Sequence, residues 1–160
     1  MNKPITIELY RPEYLSALQN FIQTIQDTEA SLVKGLTPGL EIREWYSKHL
    51  LDSVAARQGV ILMAMAGAEP AGFVCVWVED DDNLVLDAVR KSAYISDICV
   101  GTNWRRMGIA AQLLNAAENH MRSLGCRRIR LCAKSGNLAA IKCYEQQNYE
   151  SYEIVLAKSL

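Results

Sequence analysis

A strand, a basic turn, a long helix and a second strand follow one another over residues 94–133, and this run constrains the fold most. Residues 94–100 form an apolar stretch typical of a buried strand. Residues 108–124 repeat apolar side chains at helical spacing, and residues 128–133 alternate apolar with polar side chains. Because strand–helix–strand crossovers are almost always right-handed and join parallel strands, we expect the two strands to lie parallel in one sheet.

The rest of the chain predicts a mixed sheet within a single domain, residues 1–160, which is long enough for one sizeable core. No repeat or linker interrupts it. A hairpin before the crossover unit, together with a first strand, adds antiparallel pairs to the sheet. Outside the crossover unit, the predicted elements are, in order, strand, helix, helix, strand, strand, helix and strand, at residues 5–10, 11–26, 42–54, 59–66, 71–78, 137–147 and 149–157.

Composition and charge exclude several classes of function. Half of the residues are apolar and the formal net charge is -1, which argues against nucleic-acid or membrane-surface binding. No run is apolar enough to cross a bilayer, and no signal-peptide pattern follows Met1, so we expect a cytoplasmic protein. The five cysteines are odd in number and form no Cys-x-x-Cys, which favours buried thiols over a metal site or disulfides.

The turn at residues 105–110 has the chemistry of an anion site. It follows a strand and begins a helix, whose first N–H groups have no intrahelical acceptors and lie at the positive end of the helix dipole. Gly108 would let the backbone approach a phosphate closely, and Arg105 and Arg106 add positive charge. Taken alone, the pattern also fits a solvated basic turn.

Two motifs connect this turn to a known family. The Arg-x-x-Gly-x-Ala of residues 105–110 resembles motif A of the GNAT acetyltransferases, and residues 137–144 match the family's Asn-x-x-Ala-x-x-x-Tyr helix. Asn148-Tyr149 stands where the family usually has Gly-Phe. The resemblance implies an α/β (α+β) GNAT fold. That fold has a mixed, mostly antiparallel sheet of six to seven strands with a splayed parallel pair, flanked by about four helices.

The resemblance also implies that acetyl-CoA is the acyl donor and assigns residues to it. The strand 98–100 would hydrogen-bond the pantetheine arm, and the turn and helix start would hold the pyrophosphate. Asn137 and Ala140 would border the pantetheine in the gap between the splayed strands, and Tyr144 would lie near the thioester sulfur. These implied cofactor-binding residues are Ile98, Cys99, Val100, Arg105, Arg106, Met107, Gly108, Ile109, Ala110, Ala111, Asn137, Ala140 and Tyr144.

Tyr144 and Asp97 are the two predicted catalytic residues. A phenol is protonated at neutral pH and can give a proton to a leaving thiolate, although Tyr144 also fits a core aromatic. A strand N–H near Val100 could stabilise negative charge on the carbonyl oxygen. Ser96 stands where a common Glu-Asp pair would have Glu, so the base is Asp97, Glu79 or solvent. Asp97 equally fits a carboxylate bonded to local backbone at a strand irregularity.

The acceptor side gives weaker signals. The carboxylates of residues 79–82 fit a solvated loop or a negative rim for a cationic amine. Trp45, Tyr46 and His49 fit a helix core or a pocket wall, and Trp104 fits the base of the basic turn or an adenine contact.

These patterns together predict an N-acetyltransferase that moves an acetyl group from acetyl-CoA to a primary amine by direct attack. The alternative is a non-catalytic acyl-CoA-binding module of the same fold. We expect no nucleic-acid, membrane or metal partner. A homodimer could form through an apolar final strand, which contains Tyr152, Ile154, Val155 and Leu156.

Overall fold

A computed structural model describes residues 3–81 and 84–160. Within these ranges the chain forms one five-stranded sheet with helices on both faces, and two short 3-10 turns, Pro12–Tyr14 and Thr102–Trp104. The elements are β1 (Ile5–Leu9), α1 (Leu15–Leu32), α2 (Gly39–Ala56), β2 (Val60–Ala66), β3 (Glu69–Asp80), α3 (Asp87–Arg90), β4 (Lys91–Val100), α4 (Ile109–Ser123), β5 (Arg128–Leu131) and α5 (Leu138–Glu145).

The strands lie in chain order, from β1 to β5. β1, β2, β3 and β4 pair antiparallel in turn, and β4 pairs with β5 in parallel. The predicted mixed, mostly antiparallel sheet with one parallel pair is therefore confirmed. No helix of the described residues has the length and apolar character needed to span a membrane.

Two hydrophobic cores occupy opposite faces of the sheet. α4 covers one face, where Leu113, Leu114 and Ala117 pack on Val74 and Val76. α1 and α2 cover the other face with Leu18, Ile22 and Leu50, which pack around Phe73 and Met63. The middle strands β2 and β3 are buried on both faces, which explains their nearly continuous apolar sequences.

A β-bulge in β4 changes which face of the sheet the side chains after Ile95 take. Cys75 of β3 pairs with Asp97 and Val76 pairs with Ile95, so Ser96 is an extra residue without a cross-strand partner. Alternation would put Ile95 and Asp97 on the same face. The inserted residue reverses the alternation, so Ile95 packs in the α4 core while Cys99 packs in the α1–α2 core.

The strand count and the final strand were predicted wrongly. The sheet has five strands rather than six to seven, and five helices rather than about four are described. Residues 150–160 form no regular secondary structure, and Ile154, Val155 and Leu156 are 80–90% exposed. Alternating apolar residues form a strand only where another strand accepts their backbone hydrogen bonds, and none of the described strands does so here.

Element ends also differ from the prediction. α1 continues to Leu32, beyond the predicted end near residue 26. β3 begins at Glu69, so the hairpin turn is only Gly67-Ala68. Asp82, the last carboxylate of the predicted acidic cluster, lies outside the described residues.

Candidate active site

The candidate site is a cavity that opens where the parallel strands separate. Pairing between β4 and β5 ends at Ile95 and Leu131, so residues 96–100 face a gap on that side. A cavity of about 660 Å³ fills the gap. It is lined by β4, by the end of β5, by α5, by the first turn of α4 and by the second half of α1. The splayed parallel pair implied by the resemblance is therefore present.

One end of the cavity is suited to an anion. Gly108, at the N-cap of α4, has a φ of 74°, and Arg106 two residues earlier has a φ of 65°. No side chain of the described residues caps the helix, and its first i→i−4 hydrogen bond runs from Gln112 N to Gly108 O at 3.2 Å. The N–H groups of the preceding turn therefore remain available to a ligand, which is the arrangement a pyrophosphate requires.

Arg105 is part of the same end. Its Nε donates to the backbone oxygen of Val100 at 3.3 Å, which ties the turn back to the end of β4. Both arginines are exposed and line the cavity, so their charge adds to that of the helix dipole. Trp104 lines the cavity too and packs against the α4 core, which agrees with the prediction that it lies at the base of the turn.

The structure brings together every residue that the resemblance assigned to the cofactor except Met107. Met107 packs against the α4 core and does not line the cavity. Asn137 lines the cavity and also caps α5, because its Oδ1 accepts a hydrogen bond from Ala140 N at 3.2 Å. Asn148, which stands where the family usually has glycine, has a left-handed backbone conformation with a φ of 65°.

Tyr144 lines the cavity from α5. Burial, followed by the nearby Cys143 and Glu29, raises the pKa of its hydroxyl to about 12. Within the described residues the hydroxyl makes no hydrogen bond, and its ring packs against Tyr149 with the centroids 6.2 Å apart. The phenol therefore stays protonated through the neutral range and has a proton to donate.

Asp97 lines the cavity from β4 and is only 9% exposed. Its Oδ2 accepts a hydrogen bond at 3.0 Å from the hydroxyl of Tyr46, which lies on α2. Burial raises the pKa of Asp97 to about 6, while hydrogen bonds to the carboxylate and the nearby His49 act in the opposite direction. Asp97 does lie beside a strand irregularity, the bulge at Ser96, but its side chain accepts a hydrogen bond from a helix that is distant in the sequence.

The profile of the Acetyltransferase (GNAT) family matches residues 21–149 of the sequence. The chain belongs to the GNAT acetyltransferase family. This match covers most of the chain and includes both motifs and every residue that lines the cavity.

Individual GNAT relatives agree with this assignment. GCN5-related N-acetyltransferase 4 of Arabidopsis thaliana is 42% identical over 62 residues, which are 39% of this chain and 21% of that protein. The chain spans less than half the length of the curated relatives it matches. A candidate acetyl transferase from Pyrococcus furiosus has a TM-score of 0.75 at 26% identity, and 98% of this chain and 100% of that one are covered.

The GNAT fold is also shared with the aminoglycoside N-acetyltransferase AAC(6')-Iy, solved in complex with CoA. Its TM-score is 0.72 at 19% identity, and the alignment covers 98% of this chain and 95% of that one. At this identity the likeness concerns the fold alone.

Two residues of the GNAT cavity region were not predicted in their observed roles. Glu29 lines the cavity from the last turns of α1 and pairs with Lys134 at 3.6 Å. Tyr46 was predicted only as a core or pocket residue, and nothing in the sequence links it to Asp97, 51 positions away. Its neighbour Trp45 is 65% exposed and stacks on His49, with the centroids 5.5 Å apart, so it belongs to neither core.

Two carboxylates of the acidic cluster, Glu79 and Asp81, have a role that was not predicted. Arg130 of β5 donates to Glu79 at 3.1 Å and to Asp81 at 2.9 Å, and Arg57 pairs with Glu79 at 3.7 Å. Neither carboxylate lines the cavity. They tie β3 to β5 across β4, which removes Glu79 as a candidate base.

The cysteines are free thiols. Burial raises the pKa values of Cys75 and Cys99 to about 12, so both are unreactive. Within the described residues, no group of three or more histidine, cysteine or acidic side chains could hold a metal ion.

Proposed function

We propose that this chain is an N-acetyltransferase that moves an acetyl group from acetyl-CoA to a primary amine by direct attack. The acceptor would be a small-molecule amine or a peptide amine. The observation that supports this most is that one cavity contains both Asp97 and Tyr144 and, at its other end, the uncapped start of α4. Proton transfer and anion binding are the two tasks that such a reaction requires of the protein.

The cavity residues fit acetyl-CoA. Bound acetyl-CoA supplies a thioester whose carbonyl carbon an amine can attack. The left-handed Gly108 and the free N–H groups after it suit the pyrophosphate. The edge of β4 beyond Ile95, which β5 no longer pairs, offers backbone hydrogen bonds to the amide-rich pantetheine arm. Asn137 and Ala140 border the same gap.

Asp97 is the proposed proton acceptor. Its carboxyl group is ionised above about pH 6 and is largely shielded from water. An amine arrives mainly as an ammonium ion at neutral pH and must lose a proton before it can attack. Asp97 can first attract the ammonium and then take this proton, directly or through a water molecule. Glu29, which pairs with Lys134 at 3.6 Å, is a second carboxylate in the same cavity that a cationic acceptor could contact.

Tyr144 is the proposed proton donor. Its hydroxyl is protonated at neutral pH and is not engaged by other described groups. Donation to the departing sulfur would neutralise the negative charge that forms there. A backbone N–H of β4 near Val100 would meanwhile stabilise the negative charge on the carbonyl oxygen.

Two further expectations stay predictions. A homodimer could form through the apolar residues of the C-terminal segment, which are exposed in the single chain. Cytoplasmic localisation likewise remains untested.

The first experiment is the melting temperature of the full chain with and without acetyl-CoA. Ligand at a hundredfold excess over Kd stabilises the native state by about 2.7 kcal/mol, a rise of roughly 5 to 10 °C at this size. A panel of primary amines is then screened for release of free CoA thiol. A rise with amine-dependent release supports the proposal. A rise without turnover on any amine would favour the non-catalytic acyl-CoA-binding module, and no rise would contradict acetyl-CoA binding.

A further inference from the structure

We propose that Tyr46 is a positioning residue for Asp97: its hydroxyl holds the Asp97 carboxylate ionised and oriented into the cavity. This inference rests on the proposed function, in which Asp97 accepts the proton of the amine. It adds a specific task for α2, which contributes no other group to the chemistry proposed above.

The bulge makes the contact between these residues possible. If Ser96 were paired as in a regular strand, Asp97 would share the face of Ile95 and point toward α4. Because the bulge leaves Ser96 unpaired, Asp97 lies on the face that α1 and α2 cover, and Tyr46 of α2 reaches its Oδ2 at 3.0 Å. Asp97 still lines the cavity, so the same carboxylate meets the helix and the substrate side.

The Tyr46 ring is itself held in place. It packs against His49 one turn later, with the centroids 5.7 Å apart, and lies beside Trp45 at 6.1 Å. Burial and the charge of Asp97 raise the pKa of Tyr46 well above its usual value, so it acts only as a hydrogen-bond donor. A fixed donor to a carboxylate stabilises its ionised form and fixes its orientation.

The other titratable groups around Asp97 differ in whether they change charge near pH 6. Groups from five elements act on it: Glu29 of α1, His49 of α2, Cys75 of β3, Tyr94 and Cys99 of β4, and Tyr144 of α5. The thiols and phenols have raised pKa values and stay neutral there. His49 lowers the pKa of Asp97 through its charge, so it needs its own control.

The direct test follows the Asp97 carboxyl by NMR in the full chain with ¹³Cγ-labelled aspartate. The Asp97 signal is identified by its loss in Asp97→Asn. Tyr46→Phe removes the hydroxyl and should raise the midpoint of the Asp97 titration by about one pH unit, since hydrogen bonds to charged groups are among the stronger ones. An Asp97 midpoint that stays within 0.3 units of the native value would overturn the proposal.

Matched variants isolate the effect. Tyr14→Phe removes another tyrosine–carboxylate hydrogen bond, the one to Glu8 at 3.2 Å outside the cavity, and should leave the Asp97 midpoint unchanged. His49→Gln, made in the native chain and in Tyr46→Phe, should leave the difference in Asp97 midpoint between the two unchanged.

Replacing Tyr46 with 3,5-difluorotyrosine keeps the ring and makes the phenol a stronger donor. This replacement should lower the midpoint and provides the test if Tyr46→Phe does not fold. A rise of the Asp97 midpoint with 3,5-difluorotyrosine would contradict the proposal.

Kinetics separate this inference from the proposed function. With an acceptor amine identified, the acid limb of kcat/KM should move to higher pH in Tyr46→Phe by the same amount as the NMR midpoint. A purely structural contact would lower activity equally at all pH values, which would overturn the positioning role. Asp97→Asn tests the base itself. If that variant turns over like the native chain, the base assignment fails, while the NMR result still decides what Tyr46 does to Asp97.

Discussion

The two ends of the cavity are built differently. The anion end comes from consecutive residues, 105–111, and depends on backbone conformation and N–H groups. The other end, the proposed acceptor end, comes from side chains on four separate elements: Glu29 on α1, Asp97 on β4 and Tyr144 on α5 line the cavity, and Tyr46 on α2 hydrogen-bonds Asp97. The first end should therefore tolerate side-chain changes that preserve the backbone. The acceptor end should lose activity when a single side-chain atom is removed, even though the backbone is left intact.

The sharpest test of the acceptor end is Tyr144→Phe, which removes one oxygen. If the phenol donates the proton, kcat should fall by roughly 100-fold or more, because positioned acids commonly contribute that much. Acetyl-CoA should still raise the melting temperature. The measurement is the steady-state rate of CoA thiol release together with thermal unfolding.

Tyr149→Phe is the control for Tyr144→Phe. Tyr149 packs on the Tyr144 ring, but its hydroxyl donates to Glu118 at 3.0 Å, away from the cavity. Its loss should change kcat far less. Equal losses in both variants would mean that packing of the aromatic pair, and not the Tyr144 proton, limits the reaction.

At the anion end, Gly108→Glu should weaken acetyl-CoA binding at least tenfold. A side chain at a φ of 74° is strained by about 1 kcal/mol, and a carboxylate at the helix N-terminus repels a pyrophosphate. The rise in melting temperature with acetyl-CoA should shrink or disappear.

Gly125→Glu matches that change at the other end of α4. Gly125 has a φ of 87°, and a Cβ at either glycine would have no heavy atom within 4 Å, so the conformational cost is similar. Both variants should melt a few degrees below the native chain, but Gly125→Glu should keep the full ligand-induced rise. If Gly108→Glu also kept it, the pyrophosphate would not bind at this turn.

The contrast between an end built from consecutive residues and an end assembled from separate elements also explains how much of the site the sequence predicts. The crossover unit and the basic turn are local patterns, and the structure contains both. The Tyr46–Asp97 hydrogen bond depends on how α2 docks on the sheet and on an extra residue in β4, and neither leaves a periodic signal. The predicted final strand failed for the opposite reason: its local pattern is strong, but no described strand pairs with it.

The smallest expected effect concerns stability. Folding raises the pKa of Asp97 from 3.8 to about 6, so between these values the native state binds more protons than the unfolded state. The contribution of Asp97 to stability therefore falls as pH rises through this window, by at most about 3 kcal/mol. Asp97→Asn should be about 1 to 3 kcal/mol more stable relative to the native chain at pH 8 than at pH 4.

Chemical denaturation of both proteins at the two pH values measures this difference, and Asp52→Asn on exposed α2 surface is the control. A pH-independent difference would mean that Asp97 ionises as freely in the folded chain as in the unfolded one. The predicted result would mean that the buried charge of Asp97 lowers the stability of the folded chain, although the proposed reaction requires that charge.

The bulge at Ser96 has a consequence for how this strand can change over evolutionary time. Replacing Ser96 by another residue type leaves the directions of the neighbouring side chains unchanged, because those directions depend on position along the strand and not on residue type. A one-residue deletion at position 96 would leave Ile95 opposite Val76 and Asp97 opposite Cys75, so it would remove the bulge without turning either side chain. A deletion at a paired position of β4 would instead reverse the faces of the residues on one side of it. Position 96 is therefore a place where the length of this strand can change by one residue while the group on which the proposed chemistry depends keeps its direction.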